Sequence, residues 1–304
     1  MWTTIECEGH PRDMGMAQGA AVRAAIRAEI ARAGLSLRRS RMPTLKALVD
    51  GPIRGDGAGR EFFRHFSHQA ERLDGLAYAA DVPTDSVLDL HLRVRAGGAV
   101  GGLLARRASV RARSVGGNGG GKRALLERSL PHASESETGW SWMIRESRPE
   151  VGFRSVEVGL PWLVSAVAGV NEGGLAVVAA PLLWGAPGRE GWPPSLLLVQ
   201  ECLQRFKDVR GAVDWCLKRP VEGEQSFVLA DDCGTVATVV VSGRDRRVQS
   251  GEGELYLEGG ELPESVEDDG ASAEGPSDRV WLDPKTRRLQ LDAAGAAIEL
   301  GLSD

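Results

Sequence analysis

The sequence has few lysines, few aromatic residues and no long apolar run. Lysine supplies 5 of the 37 basic residues, and Phe, Trp and Tyr make up 5% of the 304 residues. The longest apolar run, Leu175 to Trp184, is about half of the ~20 residues that a membrane-spanning helix needs. No C-x-x-C spacing joins the four cysteines, so we expect neither a zinc site nor a disulfide scaffold. These cysteines are Cys7, Cys202, Cys216 and Cys233.

The charge balance is mildly acidic. Against 37 basic residues stand 42 acidic ones, so the formal net charge is −5. This balance argues against a nucleic-acid-binding protein, which usually carries a concentrated basic face. The first residues, MWTTIECE, lack the basic and apolar regions of a signal peptide. We therefore expect a cytoplasmic protein with no nucleic-acid or membrane partner and no cofactor.

The pattern of apolar residues changes near residue 105. Apolar residues at helical spacing come before it, and alternating apolar and polar residues are common after it. This order of elements indicates an α+β fold, with a helical N-terminal region over 1–105 and a strand-rich core region over 106–304. Helices are expected at 14–33, 61–80, 86–92, 195–206 and 209–217. Strands are expected at 108–115, 122–130, 140–145, 153–158, 162–170, 174–180, 226–230, 235–242, 280–282 and 289–291.

Residues 252–278 differ in composition from the rest of the chain. They are rich in Glu, Asp, Gly and Ser and poor in large apolar side chains. Such a segment cannot bury enough apolar surface to offset the roughly 1–2 kcal/mol of backbone entropy that each ordered residue costs. We therefore predict a mobile surface loop over 252–278.

Several stretches occur in the order typical of one known family. Residues 9–19, GHPRDMGMAQG, are similar to its opening G-x-P-x-x-M-G-x-x-x-G, and residues 71–85 are similar to its following helix pair. The most specific match is 168–176, AGVNEGGLA, against G-x-N-E-x-G-L, and 280–284, VWLDP, matches a closing strand. On these motifs, nearly the whole chain resembles the acyl-coenzyme A:6-aminopenicillanic acid acyltransferase family of N-terminal-nucleophile (Ntn) hydrolases.

The resemblance implies a four-layer αββα sandwich with two stacked antiparallel sheets. It also implies a chain that cuts itself, so that a cysteine becomes the first residue of the larger fragment. The freed α-amino group has a pKa of roughly 7.7–8.0 in peptides, so it can act as the general base for its own side chain. Neighbouring amides then stabilise the oxyanion.

The residues that carry this chemistry are only partly present. The resemblance places the nucleophile at 107–110, a window without cysteine, where Ser109 is the one substitute. Of the supporting residues, Arg128 and Asn171 are kept, but Pro131 replaces an aspartate. Positions 255–261 also lack the family's Asn-His pair. Catalysis would therefore rest on Ser109, Arg128 and Asn171.

Two tryptophans and the arginine-rich strand allow alternative interpretations. The resemblance places Trp184 and Trp192 in a loop that borders an acyl pocket, although tryptophan packing over a sheet is the simpler account. Alternation on the strand puts Arg111 and Arg113 on the face of Ser109, either in solvent or lining an anion pocket.

Three functions fit these observations. The first is a catalytically degenerate homologue of C–N amide hydrolases and acyltransferases that binds a small acyl or amide ligand. The second is an active amidohydrolase or acyltransferase that uses Ser109 after self-cleavage. The third is an interaction protein that forms homo- or hetero-oligomers. The loss of the cysteine, the aspartate and the Asn-His pair together favours the first.

Overall fold

Two β-sheets lie face to face, and helices cover the larger one. The computed structural model describes residues 2–38, 57–95, 109–116, 122–131, 142–181, 192–250, 254–258, 277–293 and 296–302. Within these ranges the helices are α1 (Pro11–Ala21), α2 (Arg23–Arg32), α3 (Gly57–His65), α4 (Ser67–Ala80), α5 (Thr84–Arg95), α6 (Leu197–Arg205) and α7 (Val209–Lys218).

The strands of the larger sheet follow the order β1-β4-β5-β6-β7-β8-β9-β10. All neighbouring pairs in it are antiparallel except β1 and β4, which run parallel. Its strands are β1 (Thr3–Gly9), β4 (Met143–Pro149), β5 (Ser155–Gly159), β6 (Ala168–Asn171), β7 (Leu175–Pro181), β8 (Gly223–Asp231), β9 (Val236–Gly243) and β10 (Asp245–Ser250).

The smaller sheet is antiparallel throughout and has the order β11-β2-β3-β12-β13-β14. One of its faces packs against the larger sheet, so the strands of the larger sheet are buried between helices and the second sheet. Its strands are β2 (Ser109–Gly116), β3 (Lys122–Pro131), β11 (Glu254–Glu258), β12 (Ser277–Asp283), β13 (Arg288–Ala293) and β14 (Ala296–Gly301).

The helices pack on the outer face of the larger sheet. Helix α1 contacts β1 and β4, α6 contacts β6 and β7, and α7 contacts β8 to β10. Helices α1 and α4 cross closely, because a Cβ on Gly15 would overlap the carbonyl oxygen of Arg72, and a Cβ on Gly75 would overlap that of Arg12. Only glycine permits this approach, which explains the glycines of the opening motif.

The predicted α+β class is confirmed, with several corrections to its elements. The helix expected over 14–33 is two helices that meet at Val22, and the helix expected over 61–80 breaks at Phe66, whose backbone leaves the helical region. The strand expected at 162–170 begins only at Ala168. These breaks fall at bulky or β-branched residues, which have only weak helix preferences.

The N-terminal region and the core region share one sheet, which the sequence did not indicate. Strand β1 belongs to the larger sheet, so residues 1–105 supply an edge strand to the core region 106–304; the boundary itself falls within 96–108, outside the described residues. The prediction that the whole of 252–278 is a mobile loop is wrong for part of this range. Residues 254–258 form β11 and 277–278 open β12, while 259–276 lie outside the described residues.

Candidate functional site

The candidate nucleophile strand and the candidate arginine strand lie side by side in the smaller sheet. Ser109 begins β2 and is paired with Glu258 of β11. Strand β2 also pairs with β3, and there the residue directly opposite Arg128 is Val110. Val110 is buried, as its face points toward the larger sheet. The residue in register with Arg128 is therefore aliphatic rather than nucleophilic.

Arg128 crosses the space between the two sheets. Its side chain is 1% exposed. Nη1 donates to the carbonyl oxygen of Val167 at 3.0 Å and also to that of Ala179, both on the larger sheet. Nε and Nη2 are buried without a hydrogen-bond partner. Within the described part of the chain, no acidic side chain forms an ion pair with this guanidinium.

The electrostatic consequence for Arg128 is large. Burial lowers the pKa of Arg128 to about 9, and among the described residues no neighbouring charge offsets this effect. At neutral pH the group therefore stays cationic in an apolar environment. A buried cation of this kind is costly unless an anion or several acceptors satisfy it. Nε and Nη2, which have no acceptor in the part of the chain that the structure describes, are suited to donate to a carboxylate or carbonyl oxygen.

Asn171 lies on the opposite face of the larger sheet. Its Nδ2 donates to the carbonyl oxygens of Leu203 and Phe206, each at 2.7 Å, at the end of α6. Its Oδ1 accepts from the backbone N–H of Leu175 at 2.9 Å. The side chain is completely buried. Asn171 therefore joins the β6–β7 turn to α6, and the larger sheet separates it from Arg128.

The other residues singled out from the sequence are two tryptophans and the two arginines of β2. Trp184 is outside the described residues. Trp192 is half-buried, and the guanidinium of Arg244 lies 4.6 Å from the centre of its ring. Arg113 is exposed and Arg111 is half-buried, on the face of β2 opposite Val110. Of the candidate catalytic residues, the fold thus brings Ser109 and Arg128 onto neighbouring strands and leaves Asn171 elsewhere.

A second buried polar cluster, on the helix side of the larger sheet, was not predicted from the sequence. Arg145 Nε donates to Glu157 at 2.7 Å, and both side chains are almost completely buried. Arg145 also donates to Gln18 Oε1 at 2.9 Å, to Gln200 Oε1 at 2.8 Å and to three backbone carbonyls. Burial alone would raise the pKa of Glu157, but Arg145 and Arg72 together with two hydrogen bonds lower it.

The sequence signal for this cluster is the alternation within two neighbouring strands. Met143-Ile144-Arg145 and Val156-Glu157-Val158 each place a charged residue among buried apolar ones. The two charges are opposite in sign and directly paired in register. Because Gln18 of α1 and Gln200 of α6 complete the cluster, it fastens the N-terminal helices to the sheet.

A third contact of this kind lies between α4 and α6. Glu201 is completely buried, and its Oε1 lies 2.8 Å from Nε2 of His68 and accepts from Gln69 Nε2 at 3.1 Å. Its Oε2 accepts from Arg205 at 3.0 Å. The ring of His68 thus has a buried carboxylate as its partner. The contact joins the N-terminal helices to α6.

Three neighbouring side chains could bind a metal ion, but one of them already has backbone partners. Asp231, Asp232 and Cys233 lie close enough to share a metal ion, yet the Asp231 carboxylate already accepts from the backbone N–H of Val209 and Thr235. A shallow cavity of about 180 Å³ lies between α2, Trp142 and Pro161, and its walls are mainly apolar. Among the described helices, none is long and apolar enough to span a membrane.

The chain resembles solved amide hydrolases only distantly. Penicillin V acylase from Agrobacterium tumefaciens is 16% identical with a TM-score of 0.43, over 64% of this chain and 86% of that chain. A mutant of conjugated bile acid hydrolase from Clostridium perfringens is 10% identical with a TM-score of 0.46, over 64% and 92%. An N-acylethanolamine-hydrolyzing acid amidase orthologue from Caenorhabditis elegans is 10% identical with a TM-score of 0.42, over 59% and 93%.

No protein-family model and no curated protein matches the sequence. TM-scores below 0.5 are too low to assign a family or an activity to this chain.

Proposed function

We propose that this chain is a divergent Ntn-hydrolase-fold homologue of C–N amide hydrolases and acyltransferases that binds a small acyl ligand at Arg128 and does not hydrolyse it. The ligand carries a carboxylate or amide oxygen that accepts from the guanidinium. The sequence motifs support the superfamily. The two facing sheets are of the kind that those motifs imply.

The observation that carries the proposal is that only Nη1 of the buried Arg128 guanidinium has acceptors among the described residues, whereas Nε and Nη2 have none. A folded chain gains nothing from a buried cation whose Nε and Nη2 lack acceptors. Arginine presents these donors in a planar fork that matches a carboxylate in two parallel hydrogen bonds. Residues that cost stability in this way are commonly kept for a binding function.

Several observations favour binding over hydrolysis. Val110, rather than Ser109, is in register with Arg128. Pro131 occupies the end of β3 and is paired with Ser277, so it offers no carboxylate. A serine within an intact chain also needs a base, which in Ntn chemistry is an α-amino group that exists only after cleavage. An intact chain therefore offers Ser109 no α-amino base of this kind.

The binding test compares ligands that differ in charge. Octanoate and N-octanoylglycine should raise the melting temperature of the protein, with octanamide as the uncharged comparison. At a ligand concentration of ~100 times Kd, the stabilisation is about 2.7 kcal/mol. Arg128→Met should abolish this effect, whereas Leu130→Met, a buried change on the same face of β3, should preserve it.

The same samples test for catalysis. Incubation with N-octanoylglycine should release no octanoate when followed by liquid chromatography and mass spectrometry. Release that Ser109→Ala abolishes would show that the chain is a serine amidohydrolase. Equal stabilisation of wild type and Arg128→Met would place the ligand elsewhere and contradict the proposed site.

A further inference from the structure

Two of the four cysteines, far from Arg128, are brought together by the fold. Cys202 lies on α6 and Cys216 on α7, and their sulfur atoms are 3.5 Å apart. Both side chains are buried, with 1% and 0% exposed. Cys7 lies on β1, and Cys233 is exposed in the turn between β8 and β9. The sulfur contact is thus specific to one pair.

We propose that Cys202 and Cys216 form an intrachain disulfide that fastens α6 to α7 when the chain meets a peroxide oxidant. The sulfur atoms must approach by about 1.5 Å to reach the disulfide bond length of about 2.05 Å. The two cysteines lie on helices that pack against each other, so a small shift of α7 toward α6 brings the sulfur atoms together. This inference is independent of the binding function at Arg128.

The chemistry balances with hydrogen peroxide as the oxidant. One thiol is oxidised to a sulfenic acid, and the first water leaves. The sulfur of the second thiol then attacks the sulfenic sulfur, so that an S–S bond forms, the S–O bond breaks and a second water leaves. The two thiols lose two protons and two electrons in total, and one peroxide becomes two waters.

The burial of the pair determines how fast it reacts. The neighbouring Cys216 and burial raise the pKa of the Cys202 thiol well above its usual value, so little thiolate is present at neutral pH. Thiolate is the reactive form. The pair therefore oxidises slowly in the native protein, and the resulting disulfide is equally shielded from soluble reductants.

A cross-link to α6 affects the stability of the fold because this helix contacts both the larger sheet and the N-terminal helices. Gln200 on this helix bonds to Arg145 and Glu157 beneath it, and Glu201 bonds to Gln69 of α4. Helix α6 thus connects the sheet to the N-terminal helices. A disulfide to α7 restricts the unfolded chain around this connection and stabilises it.

The test is intact mass and peptide mapping of the full-length protein. Peroxide treatment should lower the intact mass by about 2 Da. Alkylation of the oxidised protein in denaturant should then modify two of the four cysteines. Digestion should yield one cross-linked peptide that contains Cys202 and Cys216. The oxidised form should melt roughly 5 °C higher than the reduced form, and reduction in denaturant should reverse the change.

Variants separate this pair from the others. Cys202→Ala and Cys216→Ala should each abolish the cross-linked peptide, whereas Cys233→Ser should retain it. Because the buried variants can fold poorly, the mapping of the wild-type protein is decisive by itself. Alkylation of all four thiols after oxidation, or a cross-link through Cys233 or Cys7, would overturn the inference.

Discussion

Replacement of Arg128 by methionine should make the ligand-free protein more stable. Burial lowers the pKa of Arg128 to about 9, and this lowering corresponds to about 5 kcal/mol of destabilisation at neutral pH, at about 1.4 kcal/mol for each pH unit. Methionine removes this cost. It also removes the hydrogen bonds to Val167 and Ala179, worth about 1 kcal/mol each. The expected gain in unfolding free energy is about 2–3 kcal/mol.

The pH dependence of this gain has a definite sign. Because burial lowers the folded pKa of Arg128 to about 9, the unfolded chain binds more protons than the folded one above about pH 9. The destabilisation by Arg128 is thus complete below about pH 9 and declines above it. The difference between variant and wild type should be constant from about pH 6 to 8.5 and should shrink at higher pH.

Urea unfolding followed by circular dichroism measures the difference, with Leu130→Met as the matched control. Leu130 is fully buried on the same face of β3, so its replacement should cost less than about 1.5 kcal/mol. A loss of 2 kcal/mol or more in Arg128→Met would refute the reasoning. Such a loss would mean that the guanidinium has favourable partners and is not held in reserve for a ligand.

Three further predictions concern the packing on the helix side of the larger sheet. Gly15→Ala should destabilise by about 3 kcal/mol or more in thermal unfolding, because the new Cβ overlaps the backbone of α4. Burial lowers the pKa of His91 to about 4, so stability should fall by about 3 kcal/mol between pH 6.5 and 4, and His91→Phe should lack this slope. Arg145→Met should cost about 3–5 kcal/mol in urea unfolding because it leaves Glu157 without its buried ion pair, whereas Arg148→Met, at an exposed ion pair, should change the stability little.

The general architecture could be predicted from the sequence because its local signals agree. The strands predicted at 108–115 and 122–130 pair as β2 and β3, and the glycines at 15, 19 and 75 lie at a close crossing of two helices. The parallel pairing of β1 with β4 could not be predicted. It joins residues more than 130 positions apart, and no local pattern specifies such a partner.

The candidate site was harder to anticipate than the fold. Motif position grouped Asn171 with Arg128, but a motif does not show which face of a sheet a side chain occupies. The contacts of Asn171 with Leu203 and Phe206 reveal its role in fastening α6. Whether Nε and Nη2 of Arg128 find acceptors depends on which residues of the larger sheet lie opposite β3. That is a property of tertiary packing alone.

The intact mass of the purified protein tests the central claim most directly. We expect one chain of 32.5 kDa, because Val110 is the residue in register with Arg128 and nothing described activates Ser109. Ser109→Ala should change only the mass of the side chain. Two fragments divided between residues 108 and 109, absent from Ser109→Ala, would contradict the account and identify a self-processing serine Ntn hydrolase.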